Sequence, residues 1–244
     1  MTDLPDLSSK VAVITGASRG LGAGVAEAWG ARGIQLALCA RSSFAAPAGA
    51  YAAQVDVASA AAVAEFAQAT VERFGRIDLW LNNAGVLEPV GFVHDLGSEA
   101  VRQHLAINAL GAFHGTQAFV RHLRQREGEG VLLNVSSGAA LSGYAGWGPY
   151  CMGKAALDRL TECVQLEEAA HGLLAYAVAP GVIDTAMQAT IRGCSPEVFP
   201  AVAKFHDLKA REAFNSPGYV AHELLRLAYV RRPTGVVQRL EPEA

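Results

Sequence analysis

Tyr150 and Lys154 stand at positions i and i+4 of the segment Tyr150-Cys-Met-Gly-Lys154. On a helix, residues so spaced share one face, which lets an ammonium sit beside a phenol. A free phenol ionises near about 10, too high for a base at neutrality, and a neighbouring cation favours the phenolate. Such a pair can give a proton to a carbonyl oxygen under hydride attack, or take one in the reverse direction. Tyr-x-x-x-Lys is also a common spacing for plain structural pairing, so its meaning depends on its company.

A second stretch able to do chemistry is Thr15-Gly-Ala-Ser-Arg-Gly-Leu-Gly22, between the apolar run Val11-Ala-Val-Ile14 and a segment of helical period. Gly16, Gly20 and Gly22 permit a tight turn and close approach to a pyrophosphate, held by the amides of Ser18, Arg19 and Leu21 at the helix start. Its spacing is G-x-x-x-G-x-G, and a simple βα turn is the bland alternative. In a dinucleotide fold an acid about 20 residues on bonds the adenosine ribose, whereas a 2′-phosphate calls for a cation. The second apolar run ends Cys39-Ala-Arg41, with no carboxylate. Arg41 and Arg19 can bracket the phosphate in fork geometry, so NADP(H) is expected over NAD.

The elements that must position these groups follow a β-α-β rhythm. Strand-length apolar runs are predicted at 11–14, 35–40, 51–57, 77–81, 131–135 and 174–178, with helices through Trp29 and near 59–74, 99–124 and 150–170. Apolar strands alternating with helices predict a single doubly wound α/β domain over residues 1–244, with a mostly parallel sheet of about seven strands. Pro47 and Gly49 make a crossover helix improbable after the second strand. A mixed segment at 195–215, a helix near 217–230 and a short strand around 235–240 complete the chain.

The chain has 244 residues, 51% hydrophobic and 18% charged, with a net charge of −3. This balance, with no basic block beyond Arg231-Arg232, disfavours nucleic acid and anionic membranes as partners. The first ten residues carry no apolar run, so no secretory leader and a cytoplasmic location are expected. Residues 130–153 are uncharged and long enough to cross a bilayer, but contain Asn134, Ser136, Ser137, Ser142, six glycines and Pro149, which lipid would leave unsatisfied. The four cysteines lack metal spacing and read as reduced thiols, and no metal is expected.

Taken with Asn82-Asn-Ala-Gly85, Asn108, Ser137 and Pro180-Gly181, these motifs resemble the short-chain dehydrogenase/reductase family over essentially the whole chain. The resemblance implies that Ser137 orients the substrate oxygen, Tyr150 transfers the proton, Lys154 bonds the nicotinamide ribose and Asn108 holds a relay water. Ser136 is the competing serine, and Ser137 has the family's spacing to Tyr150. Asp56 and Val57 resemble the adenine-contacting pair, Asn83, Ala84 and Gly85 the stretch beside the adenine ribose, and Pro180, Gly181, Ile183 and Thr185 the nicotinamide loop. Asp56 as a helix cap and Asn82 as a structural turn residue are the plain alternatives.

Within the family, the segments around Tyr150 and Pro180 look most like sepiapterin reductases and related benzil reductases. The former anchor a pterin with an Asp in the last strand, where this sequence places the neutral Gln238. The pocket is expected from Leu87, Ala139, Leu141, Tyr144, Trp147 and Met187, covered by residues 186–215, with Trp147 as pocket or interface residue. A small hydrophobic ketone or α-diketone is the expected substrate. Alternatives are a pterin reductase, an alcohol dehydrogenase working oxidatively, or a silent NADP-binding regulator. Apolar residues around the helices bearing Asn108 and Tyr150 call for a second burial partner, and the resemblance implies a homodimer or homotetramer.

Overall fold

The computed structural model describes residues 4–243. Its core is a seven-stranded sheet in the order β3-β2-β1-β4-β5-β6-β7. The strands are β1 (Val11–Thr15), β2 (Gln35–Ala40), β3 (Tyr51–Gln54), β4 (Leu79–Asn82), β5 (Gly130–Val135), β6 (Leu173–Ala179) and β7 (Val237–Arg239). Every neighbouring pair is parallel. The apolar runs of the central strands are buried because helices cover both faces, whereas the edge strands β3 and β7 are partly exposed.

One face carries α1 (Gly20–Gly30) and α8 (Pro217–Arg226), which pack with Ile14, Leu38, Leu81 and Leu133. Trp29 is fully buried there and donates its indole N–H to Ala221 O at 3.0 Å. The other face carries α2 (Ala60–Phe74), α4 (Gly111–Leu123) and α5 (Gly148–Glu168), around Val13, Ala37, Trp80, Phe119 and Leu132. A smaller cluster joins the start of α5 to α6 (Ala186–Arg192) and α7 (Val202–Ala210).

The link from β2 to β3 contains no helix, as Pro47 and Gly49 predict, with Gly49 at φ +84°. Several boundaries differ from the sequence reading. β3 ends at Gln54, β7 covers only Val237–Arg239, and the mixed segment contains α7. The helix expected over 99–124 is divided into α3 (Ser98–Leu105), a π-turn at Ala106–Leu110 and α4. In that turn the Gly111 amide reaches back to Ala106 O, one residue farther than an α-helix allows.

Candidate active site

The chain reverses its winding between β1, which leads outward to β2, and β4, which leads to β5. In an open parallel sheet, ligands bind beyond the carboxyl ends of the strands at this point. The glycine loop emerges here. Gly16 has φ +67°, and a Cβ on it would lie 2.7 Å from Ala84 Cα. A Cβ on Gly22 would lie 2.4 Å from Gly16 O. Helix α1 starts without a carboxylate in its first turn or a side-chain cap. Its first amides are therefore available to an anion, in contrast to α2, which Ser59 caps.

The loop is fixed by Asn83 and by Thr15, which sequence reasoning did not single out. Thr15 Oγ1 accepts the N–H groups of Asn83 and Ala84 at 3.0 and 3.1 Å. Asn83 Nδ2 returns bonds to Thr15 O and Gly16 O at 2.9 and 3.1 Å. Asn82 does structural work instead: it accepts from Trp80 Nε1 at 2.8 Å and donates to Asn134 Oδ1 at 2.8 Å. Ala112 O and Thr116 Oγ1 share the same amide, so Asn82 ties β4 to β5 and α4.

Thr15 and Cys39 are register partners, and Ala17 N bonds Cys39 O at 3.0 Å. Arg19, Ser18 and Arg41 leave these adjacent strand ends exposed to solvent. Among the described residues neither arginine is paired with a carboxylate. Asp56 follows β3, and its side chain accepts the Ala58 N–H at 3.0 Å while Ser59 caps the helix. Val57 is buried beside it.

Beyond β6, Gly181 turns at φ +79°, with Asn215 Nδ2 bonded to Pro180 O at 2.9 Å. The same loop carries Ile183, which packs on the core, and brings Thr185 against Gly20, whose Cβ would stand 3.1 Å from Thr185 Cγ2. The glycine loop, Asn83 to Gly85 and this segment thus line one opening, while Leu21 is buried behind it.

Ser137, Tyr150 and Lys154 meet at the end of β5. Tyr150 and Lys154 are buried on α5, with Lys154 Nζ 5.7 Å from the Tyr150 ring centroid and 2.7 Å from Val135 O. Burial pushes the phenol above its ordinary pKa, and a hydrogen bond from Ser137 pulls the other way. Burial also brings the Lys154 ammonium down to about 8, with Asp158 partly opposing. The net direction on the phenol in the free protein is upward, with desolvation the largest cause. Ser136 is committed elsewhere: its hydroxyl bonds the buried Asp158 carboxylate. Asn108 lies in the π-turn, buried, with Oδ1 on Val86 N and Nδ2 on Val86 O, each at 2.8 Å. Both ends of its amide are thus engaged by Val86.

Leu87, Ala139 and Trp147 are buried in the cluster under the cover segment, with Tyr144 and Met187 packed against it. Trp147 stacks on Phe199 at 4.4 Å and 8°, which places it under α6 and α7 and not on an outer face. Leu141 is 70% exposed, outside this cluster. Lys204 Nζ donates to Tyr144 Oη at 3.1 Å across its edge. A groove of about 550 Å³ between α2 and α4 contains none of these residues. Among the described residues no cluster of His, Cys, Asp and Glu is fit to hold a metal, and no helix is long and apolar enough to cross a membrane.

The model of short chain dehydrogenases matches residues 10–194. The chain belongs to this family. Benzil reductase ((S)-benzoin forming) from Bacillus cereus is 35% identical over 164 residues, 66% of this chain and 66% of that protein, so the chain spans just under two thirds of that relative's length. 3beta-Hydroxysteroid dehydrogenase 1 of Eggerthella lenta is 30% identical over 243 residues, 95% of this chain and 85% of that protein. The KRED1-Pglu enzyme superposes with a TM-score of 0.85 at 31% identity, covering 95% of this chain and 100% of that one. Short-chain dehydrogenases are oxidoreductases of CH–OH and carbonyl groups that use NAD(P)(H).

Proposed function

We propose that this short-chain dehydrogenase is an NADPH-dependent carbonyl reductase acting on a small hydrophobic ketone or α-diketone. The observation that carries the reading is the buried Tyr150, with Lys154 against its ring and Ser137 beside it at the end of β5. The glycine loop fits the nucleotide: Gly16 and Gly22 let it close tightly against Ala84 and on itself, and the α1 amides at its end are uncapped. Gly16, Ser18, Arg19, Gly20, Leu21 and Gly22 would hold the pyrophosphate. Arg19 and Arg41, two exposed guanidiniums beside adjacent strand ends, would hold a 2′-phosphate. Asp56, Val57, Asn83, Ala84 and Gly85 would flank the adenosine, and Pro180, Gly181, Ile183 and Thr185 the nicotinamide. When bound, NADPH supplies the hydride.

The chain's own groups do the rest. Ser137 donates to the substrate carbonyl oxygen and orients it. Tyr150, kept protonated by burial, passes its phenolic proton to that oxygen as negative charge develops there. Lys154 holds the nicotinamide ribose and stabilises the phenolate left behind. Asn108 shapes the π-turn from which a relay water returns the proton. The apolar and aromatic lining of Leu87, Ala139, Tyr144, Trp147 and Met187 selects hydrophobic substrates, and the relative named as a benzil reductase agrees with a diketone. Gln238 donates its amide to Gly235 O at 2.6 Å and offers no charge to a pterin. We place the protein in the cytoplasm as a homodimer or homotetramer.

The test is a screen of benzil-like diketones, simple ketones and sepiapterin with NADPH and NADH. Diketone turnover with NADPH preferred is expected, and Arg41→Asp is expected to reverse that preference. Turnover of sepiapterin alone defeats the substrate assignment, and an unchanged preference in Arg41→Asp defeats the cofactor assignment.

A further inference from the structure

His104 is 1% exposed at the end of α3, one helical turn before Asn108. Its Nδ1 lies 2.7 Å from Glu88 O and its Nε2 lies 2.8 Å from Asn108 Nδ2. A carbonyl only accepts, so Nδ1 carries the proton. Nε2 is then the acceptor for Asn108 Nδ2, whose other hydrogen goes to Val86 O. The Asn108 amide cannot turn over, because Val86 presents its N–H to Oδ1 and its carbonyl to Nδ2. A protonated ring would set two donors against each other at 2.8 Å. The ring also stands edge-on to Tyr150, centroids 6.2 Å apart at 76°. It presses on the α5 backbone where a Cβ on Gly153 would lie 3.4 Å from Nε2.

We infer that His104 is a positioning residue for proton transfer, a neutral ring that locks the Asn108 amide to the pocket wall at Val86–Glu88 and backs the Tyr150 ring. The charged and titratable groups around it are Glu88 on the wall and Tyr150 and Lys154 on α5. Burial, the largest effect, and the Lys154 charge disfavour its protonation and prevail over the Glu88 carbonyl and charge and the Pro149 carbonyl, which favour it. This role rests on the carbonyl-reductase reading above. His104 needs no contact with substrate: it acts through Asn108 and Tyr150. An acceptor and a donor on one rigid plane are what the site demands, and a glutamine amide offers the same two groups.

The experiment compares wild type, His104→Leu and His104→Gln in NADPH-dependent ketone reduction, in NADPH binding by fluorescence and in thermal unfolding. It adds nitrogen-15 NMR of histidine-labelled protein, with the His104 signals assigned by their loss in the variants. His104→Leu is expected to lose about 10- to 100-fold in kcat with KM and NADPH affinity nearly unchanged, and His104→Gln to recover most of it. The wild-type ring is expected to be neutral with its proton on Nδ1. Unchanged kcat in His104→Leu, or a loss confined to KM, overturns the role, as does failure of Gln to rescue when it unfolds at the wild-type temperature. A proton found on Nε2 at neutral pH overturns the clamp. Wild type inactive on every ketone with either nucleotide defeats the functional reading and the positioning role with it, while the ring's protonation still decides the clamp.

Discussion

Burial acts in opposite senses on Tyr150 and Lys154: it holds the phenol protonated and loosens the proton on the ammonium. In the reductive direction the first effect is useful, since the phenol must arrive with its proton. The second sets the working range. Burial brings Lys154 to about 8 and raises the phenol above its ordinary value, so the lysine is the first of the pair to lose its proton as pH rises. Ketone reduction is therefore expected to hold below that pH and to fall about tenfold per unit above it. A profile of kcat/KM against pH checks this, and a rate that rises through that range contradicts it. The pair itself is legible in the sequence because four-residue spacing is a local property of a helix. The upward shift of the phenol is not, because desolvation depends on how deeply α5 is covered. His104 has the same i, i+4 relation to Asn108, and that spacing is the only sequence signal for it.

At the scale of elements, the strands and the helix-free link from β2 to β3 follow from local patterns: apolar runs in one case, Pro47 and Gly49 in the other. The uncharged span 130–153 resolves into β5, the serine turn and the start of α5. Asn134 in it bonds Thr161 and Ser136 bonds Asp158, while the buried Trp147 Nε1 has no partner among the described residues. The π-turn is not legible, because inserting one residue into a helix leaves its apolar periodicity nearly intact. It matters because it sets Asn108 against Val86 at the pocket wall. The cover was hard to read for another reason. Residues 186–215 carry no strong period, and α6 and α7 are held by Asp184, which pairs with Arg192 at 3.1 Å and Lys209 at 2.6 Å.

Across the whole molecule, the glycine loop, the Asn83 turn, the Pro180 loop and the α5 tyrosine come from distant parts of the chain, and the reversal of winding between β1 and β4 brings them together. The helices beside that opening also leave apolar groups in water: Leu110 is 52% exposed, Phe113 42%, Met152 47% and Leu166 84%. Covering them needs another copy of the chain or another protein. Light scattering is expected to report a dimer or tetramer, and a monomer at all concentrations contradicts that expectation. The central claim is narrower, that Tyr150 delivers the proton, and one comparison tests it most directly. Diketone reduction by wild type and Tyr150→Phe is measured at saturating NADPH, with nucleotide binding followed by fluorescence. The account predicts unchanged NADPH binding and a loss in kcat of about 10²- to 10⁴-fold in the variant. Equal rates would contradict it.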